Sequence, residues 1–328
     1  MKLHDILRIQ ASTWVKTAFA AFLLAIAFNS DLFGTVRRGF DIRFLWAALA
    51  VQPLILLGFI VHAMRHLTLI GTPRVPLVKA FKAMVLAQGL NLVLPARLSE
   101  IIKGTYLRDH AAVPLSIGIS AVVLERTIDL IIVAGLGMIG LLLFASAVDY
   151  RMVLLFVLVS ALILLVAFHA HTPMIGLARK IPWPRLSSFV ERTYLHLHST
   201  VRTTAFLKAL IWGVVGWGIS YLNIFVFMQI AASSSFTYSG TLFLLVFTTI
   251  GAAVPLLPGG IGTYEAAGVL VLRSMGYEFN EALALVISLH AAQLALPFVL
   301  AWIILLTGRL GLTALIADLR GIQRRPGD

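Results

Sequence analysis

Three segments of this sequence place ionisable or amide side chains inside apolar runs or at their interruptions. Such side chains cost free energy in an apolar environment, and they are functional candidates by default. Several recur three or four residues apart, which places neighbours on one face of a helix. With the prolines and glycines beside them, the candidates for substrate binding and translocation are Pro95, Arg97, Glu100, Lys103, Glu125, Arg126, Asp129, Pro258, Gly259, Gly260, Gly262, Glu265, His290 and Gln293.

The first segment, NLVLPARLSEIIKGTYLRD, combines a helix break with a charged helix face. Pro95 ends a helix because it lacks an N–H donor and clashes with the preceding turn. Arg97, Glu100 and Lys103 follow at spacings of three residues and share a face. The forked guanidinium of Arg97 suits a phosphate, so the segment predicts a cationic pocket for a phosphate head group. An interfacial ladder of salt bridges at a helix start is the alternative.

The second segment, ERTIDL, puts Glu125, Arg126 and Asp129 on one helix face. A helix starting at Pro114 would carry Glu125 about 16 Å along its axis, at 1.5 Å per residue, and therefore near the middle of a membrane. The cluster either belongs to a transport route or holds the helix bundle together.

The third segment, PLLPGGIGTYEAAG, breaks an apolar run in its middle. Pro258 helps to end one half-helix, while Gly259, Gly260 and Gly262 permit a tight reversal and close backbone approach. A second half-helix is expected to begin near Thr263, so its free N–H groups and positive dipole end predict an anion site. The alternative is a kink that serves packing alone.

Glu265 lies just inside this second half-helix, and a carboxylate at membrane depth needs a partner. His290 and Gln293 lie on the next span. His290 is either a hydrogen-bonded packing residue or a proton relay.

Composition places these segments in a membrane. Of 328 residues, 60% are hydrophobic and 12% are charged, and the mean hydropathy is +0.96. Soluble domains have about 45–50% apolar and ~25% charged residues, so we expect an all-α integral membrane bundle. The absence of cysteine excludes disulfides and thiol catalysis. The net charge of +12 indicates anionic lipid rather than nucleic acid as the partner. No phosphate-binding glycine loop of the ATP-binding type is present, and we expect neither a cofactor nor a metal.

The lengths of the apolar runs predict six full spans and two broken stretches. The first run is interpreted as a retained span rather than a cleaved signal peptide. Each broken stretch is interrupted by proline or glycine and is interpreted as a pair of half-helices. The full spans are 14–29, 44–63, 114–147, 152–170, 209–232 and 282–307, and the broken stretches are 77–110 and 240–275.

The basic segment 171–208 is expected to be a cytoplasmic connector with an amphipathic helix on the membrane surface. His196 and His198 lie in it and are interpreted as solvated residues rather than metal ligands. Positive residues are also concentrated in the stretch 65–82 and at both ends of the chain. We therefore expect the connector, this stretch and both ends to lie in the cytoplasm, and the protein to lie in the cytoplasmic (inner) membrane. The loop 30–43 has three arginines against two aspartates and argues against this orientation.

The same three-part unit occurs twice in this single membrane domain, 1–328. We expect inverted repeats at about 44–147 and 209–307, each contributing a re-entrant half-helix pair to a central cavity. One constant sequence offset relates Glu100 to Glu265 and Glu125 to His290. Interrupted segments in corresponding positions of inverted repeats are typical of a transporter's binding site.

The segments LVLPARLSEIIKGTYL, ERTIDL and PLLPGGIGTYEAAGVLVL resemble signature segments of one known family. It is the transmembrane, flippase region of lysyl-phosphatidylglycerol synthases and their stand-alone bacterial and archaeal relatives. The likeness runs roughly from the first span to the last, although Ser99 stands where the family pattern has glycine. The resemblance implies movement of a phospholipid across the bilayer. The chain ends at Asp328 without the soluble aminoacyl-transferase domain, so lysyl transfer is not expected.

The sequence therefore predicts a lipid transporter that is not an enzyme and that moves an anionic phospholipid or another lipid-linked head group. Two alternatives stay open: an intramembrane transferase acting on a lipid carrier, and a non-catalytic membrane partner of a glycosyltransferase or other lipid-modifying enzyme. The motifs of zinc proteases and serine hydrolases are absent, which disfavours the transferase. The lipid, the energy source, the direction of transport and the state of oligomerisation stay open.

Overall fold

The computed structural model describes part of the chain, and every structural statement below refers to that part. The described residues are 42–71, 75–92, 94, 99–144, 158, 183–232, 236–253 and 258–307. The predicted span 14–29, nearly all of 152–170 and the C-terminal tail lie outside them. So do two predicted site residues, Pro95 and Arg97.

The described residues form helices and turns without any strand, which confirms the all-α class for this part of the chain. The nine α-helices in the described part of the chain are α1 Ile42–Ile70, α2 Leu77–Leu90, α3 Ser99–Ala111, α4 Leu115–Phe144, α5 Pro184–Val201, α6 Thr204–Ala231, α7 Tyr238–Ala253, α8 Thr263–Ser274 and α9 Phe279–Thr307.

Three of these helices, α1, α6 and α9, are long and apolar enough to cross a membrane. They contain the predicted spans 44–63, 209–232 (to within one residue) and 282–307. The helix α4 corresponds to the predicted span 114–147; it has 30 residues and carries the charges of the ERTIDL segment.

The end of α1 corrects the sequence prediction. The stretch 65–82 was expected to be a cationic cytoplasmic region that begins after a span ending at residue 63. Instead α1 continues to Ile70, and Arg65 and His66 are 1% and 0% exposed inside the bundle. Their side chains pair with carboxylates of α4, which makes their burial tolerable.

Each broken stretch contains two short helices, as the prolines and glycines predict. The helices α2 and α3 have 14 and 13 residues, and α7 and α8 have 16 and 12. The two members of each pair pack against each other. At 1.5 Å per residue they are about 18–24 Å long, shorter than the ~30 Å hydrocarbon core of a bilayer.

The helices fall into two sets with the same order of lengths. The set α1 to α4 has 29, 14, 13 and 30 residues, and the set α6 to α9 has 28, 16, 12 and 29. The first helices of the two sets, α1 and α6, pack along each other. The last helix of each set packs on the first short helix of the other, α9 on α2 and α4 on α7. The first short helix of each set thereby packs against a long helix of the other set.

Candidate functional site

Glu125 forms the buried centre of a group of charges. Its side chain on α4 is fully buried, and its Oε2 accepts a hydrogen bond from the Nζ of Lys103 on α3 at 3.1 Å. Its Oε1 lies 3.1 Å from the Nδ1 of His66 on α1. A carboxylate without water is stabilised only by such partners, and here they come from two other helices.

Asp129, one turn further along α4, forms the second ion pair with α1. The guanidinium of Arg65 donates to it through Nη1 at 2.6 Å. The indole Nε1 of Trp217 on α6 also donates to Asp129, at 3.0 Å, and Nη1 of Arg126 lies 3.3 Å away. Asp129 therefore links three long helices.

Glu100 completes the group near the start of α3. Its carboxylate lies 2.6 Å from the Nζ of Lys103 and 3.2 Å from the Nη2 of Arg126. We call these six residues the charged cluster: Arg65, Glu100, Lys103, Glu125, Arg126 and Asp129. Their three positive and three negative charges balance. The Arg126 side chain is 43% exposed, far more than any carboxylate in the cluster.

A second group of polar side chains lies in the other helix set. The Nδ1 of His290 on α9 lies 2.7 Å from Glu265 on α8, and the His290 ring stacks on Tyr264 at 3.9 Å between centroids. The Tyr264 hydroxyl donates to Gln293 at 3.0 Å, and the Gln293 amide donates to Asn223 on α6 at 3.1 Å. We call these five residues the polar cluster.

The turn between α7 and α8 holds this group in place. It contains a 3₁₀ turn at Pro258–Gly260, and Gly259, Gly260 and Gly262 have φ values of 70°, 75° and 87°. These are left-handed conformations that glycine adopts without steric cost. The N–H of Gly259 donates to the carbonyl of Asn91 at 2.9 Å. The breaks of the two stretches therefore touch each other.

The helix α8 begins at Thr263, as the sequence predicts. The carboxylate of Glu265 accepts a hydrogen bond at 2.6 Å from the N–H of Gly262, the residue before the helix. This is the return contact of a capping box, in which the third residue of a helix satisfies the donor at its start. Glu265 therefore occupies one donor beside the predicted anion site, and binding of an anion by the first N–H groups of α8 stays a prediction.

A cavity of about 330 Å³ lies between the two groups. Its wall includes all six residues of the charged cluster, together with Asn223, Tyr264 and Gln293 of the polar cluster. Glu265 and His290 are not on this wall and contact it through Tyr264. In the described part of the chain, no group of three or more His, Asp and Glu side chains is arranged to hold a metal ion.

The structure thus brings together predicted residues that are far apart in sequence. Glu100, Lys103, Glu125, Arg126 and Asp129 touch one another, and Glu265, His290 and Gln293 form a separate group. Pro258, Gly259, Gly260 and Gly262 build the turn beside the second group. Pro95 and Arg97 lie outside the described residues.

Sequence reasoning missed many residues that contact the site or line the cavity, among them His62, Arg65, His66, Trp217, Asn223 and Tyr264. A signal existed for the first three, because residues spaced by three and four share one helix face. A single Asn, Tyr or Trp in an apolar run carries no comparable signal.

Comparisons with known proteins match this chain to membrane proteins. A family model described as "Lysylphosphatidylglycerol synthase TM region" matches residues 13–301. The chain is also 22% identical over 210 residues to the "UPF0104 membrane protein MJ1078" of Methanocaldococcus jannaschii, an alignment that covers 60% of this chain and 85% of that protein. No solved structure gives a significant match.

Proposed function

The chain belongs to the family of the transmembrane region of lysylphosphatidylglycerol synthases and is a multi-pass membrane protein, and from this premise we propose that it is a lipid transporter. The head group of an anionic phospholipid, or another lipid-linked head group, passes through the cavity between the charged and polar clusters. The acyl chains stay in the bilayer.

The observation that carries this proposal is the cavity itself. Both helix sets contribute polar side chains to one space of about 330 Å³, at the low end of the ~300–1,000 Å³ typical of small-molecule sites. The interrupted backbone lies beside it, with Gly259 bonded to Asn91. Non-helical backbone at membrane depth is tolerated only where protein or a wet cavity surrounds it.

The proposal includes two inverted repeats, each with a re-entrant half-helix pair. The short helices support this because each is too short to cross the hydrocarbon core alone. The reciprocal packing of α9 on α2 and α4 on α7 also supports it, since a two-fold relation between the sets exchanges these contacts. Transporters of this type bind substrate where such interrupted helices meet.

Arg126 is the group that would meet a phosphate first. Its guanidinium is the most exposed cation of the charged cluster and bridges Glu100 and Asp129. A phosphate that forms a bidentate contact with Arg126 would replace one of these carboxylates. The released carboxylate still has a second cation, Lys103 for Glu100 and Arg65 for Asp129. The exchange therefore leaves no carboxylate unpaired.

We propose that α5 lies on the cytoplasmic membrane surface. Trp183, Leu186 and Leu195 are exposed along it, and the connector carries the basic residues that favour the cytoplasmic side. Aromatic and aliphatic side chains beside basic residues are typical of interfacial helices.

The alternative is that the chain is a membrane partner of a lipid-modifying enzyme, or is itself such a transferase. The matched family is described as the transmembrane region of a synthase, which supports a role beside a lipid-modifying enzyme. A partner without transport activity would bind the enzyme and move no lipid.

The test measures translocation of fluorescent phospholipids by purified protein in liposomes. A quencher added outside the liposomes reports the lipid that has reached the outer leaflet. We expect wild-type protein to expose inner-leaflet anionic phospholipid faster than empty liposomes do. Arg126→Gln should slow this by about tenfold, because a bidentate charged contact is lost. Wild-type rates equal to those of empty liposomes, over a panel of anionic lipids, would favour the partner role instead.

A further inference from the structure

Resting on the proposed function, we infer that the transported lipid carries a phosphate followed by an uncharged, hydroxyl-bearing head group of the glycerol or sugar type. The lining of the cavity combines the exposed guanidinium of Arg126 with uncharged hydroxyl and amide groups. A head group that carries an amine or a quaternary ammonium does not match this lining.

Among the described residues, the charged side of the cavity has no carboxylate free for a cation. Glu100 lies between Lys103 and Arg126, and Asp129 between Arg65 and Arg126. Glu125 is bonded to Lys103 and lies 4.0 Å from Arg65. A cationic head group would therefore approach three cations whose carboxylates are already shared, whereas a phosphate finds the exposed side of Arg126.

The cavity also has uncharged polar side chains among apolar ones such as Ile219, Ile224 and Leu245. Those of the second helix set that carry hydroxyl or amide groups are Ser220, Asn223, Thr248, Thr249, Tyr264 and Gln293. Head groups are recognised through the pairing of such groups, because a polar group buried without a partner costs free energy.

Two hydroxyls of this lining can act as acceptors for a bound group. Ser220 and Thr249 each donate their hydroxyl hydrogen to the carbonyl four residues earlier in the same helix. Their donor capacity is therefore used, while the oxygen lone pairs remain. A wall of acceptors binds a group that can donate.

One amide supplies a donor on the same wall. The Tyr264 hydroxyl donates to Gln293 Oε1, and Gln293 Nε2 donates to Asn223 Oδ1. This order fixes the Asn223 amide so that its Nδ2 is the remaining donor, and that atom is buried without a hydrogen-bond partner. Since Asn223 is among the residues that line the cavity, a small shift of its side chain would bring Nδ2 to an acceptor bound there.

A hydroxyl group meets both requirements at once, because it donates one hydrogen bond and accepts others. Glycerol and sugar hydroxyls have this property, whereas an ammonium group only donates and a choline group does neither. Buried groups that select for a hydroxyl discriminate strongly against analogues without one. The uncharged wall thus selects the part of the head group beyond the phosphate.

The test compares four acyl-labelled lipids in the liposome assay: phosphatidylglycerol, phosphatidic acid, phosphatidylcholine and lysyl-phosphatidylglycerol. Wild-type protein should move phosphatidylglycerol about fivefold or more faster than each of the others, the effect of one or two hydrogen bonds. Asn223→Leu should lower the phosphatidylglycerol rate to that of phosphatidic acid and leave the latter within about twofold. Thr249→Val, which keeps the side-chain shape, should also lower the phosphatidylglycerol rate. This second variant keeps the inference testable if the Asn223→Leu protein misfolds.

The matched control is Asn280→Leu, since Asn280 is exposed on α9 and does not line the cavity. It should change no rate. Equal wild-type rates for the four lipids, or faster movement of a cationic one, would overturn the inference and leave transport itself standing. The inference would also be overturned if the Asn223→Leu and Thr249→Val proteins slowed phosphatidylglycerol and phosphatidic acid equally. Failure of wild-type protein to move any of the four would reject both the inference and the proposed function.

Discussion

Glu125 lies fully buried between Lys103 and His66, on a helix whose neighbouring turn carries Asp129. At this scale the bundle depends on charge balance, because one missing partner leaves an opposite charge buried and unpaired. The charged cluster has three charges of each sign, so the removal of any one member unbalances it.

We predict that Glu125→Gln lowers the free energy of unfolding by about 3 kcal/mol, the typical effect of removing one partner of a buried ion pair. Thermal unfolding in detergent measures this. Glu125→Gln combined with Lys103→Met should recover much of the loss, because the charges balance again. The control is Glu278→Gln, whose side chain is 89% exposed, and no measurable change is expected there. A double variant less stable than the single one would contradict this account.

Glu265 tests the polar cluster in a different way. Glu265→Gln keeps the acceptor for the Gly262 N–H, because glutamine serves equally at this position of a capping box. The fold should therefore survive, while loss of the charge facing His290 should slow lipid translocation by about tenfold, the effect of a charge-assisted contact. Unfolding and translocation are measured on the same preparation. A stable variant with the wild-type rate would remove Glu265 from the transport mechanism.

The helical elements were predicted from apolar run length and from the positions of proline and glycine. These signals are local, and they located α1, α6 and α9 and the four short helices. The end of α1 was missed because a hydropathy window ends a span at its first charges. The helix continues because Arg65 and His66 pair with residues of α4 that are about sixty positions away, and a sequence does not display such pairings. Asn223 and Tyr264 were missed for the same reason.

The turn before α8 allows a prediction about close packing at the scale of elements. A Cβ on Gly260 would lie 3.0 Å from the Cα of Ala252, whereas one on Gly276 would have no atom within 4 Å. Both glycines have positive φ, 75° and 91°. Gly276→Ala should therefore cost about 1–2 kcal/mol from backbone strain alone, and Gly260→Ala should cost about 1–3 kcal/mol more from overpacking.

Thermal unfolding of the two alanine variants isolates the packing contribution, because the conformational cost is common to both. Gly260→Leu should be more damaging still, to folding or to transport. Equal losses for Gly260→Ala and Gly276→Ala would show that the turn is not tightly packed against α7.

The orientation of the whole molecule is testable because the chain has no cysteine. We predict that residues 171–208 and the C-terminus face the cytoplasm and that the regions around residues 146 and 234 face outward. Single cysteines replacing Ser188, Ser146 and Ser234 can be labelled with an impermeant reagent in intact cells. The first should label only after permeabilisation and the other two before it. Equal labelling of the cysteines at positions 188 and 234 in intact cells would contradict the inverted-repeat arrangement.

The central claim at the scale of the whole molecule is that lipid head groups pass through the cavity between the two helix sets. Thr249→Cys would place a thiol on the cavity wall, and Ser188→Cys would place one on α5, outside it. Both variants should translocate phospholipid in liposomes before modification, the Thr249→Cys protein more slowly because the Thr249 hydroxyl is lost. After reaction with a bulky thiol reagent, the Thr249→Cys protein should stop, and the Ser188→Cys protein should keep its rate. Undiminished translocation by Thr249→Cys protein with the cavity blocked would contradict the account.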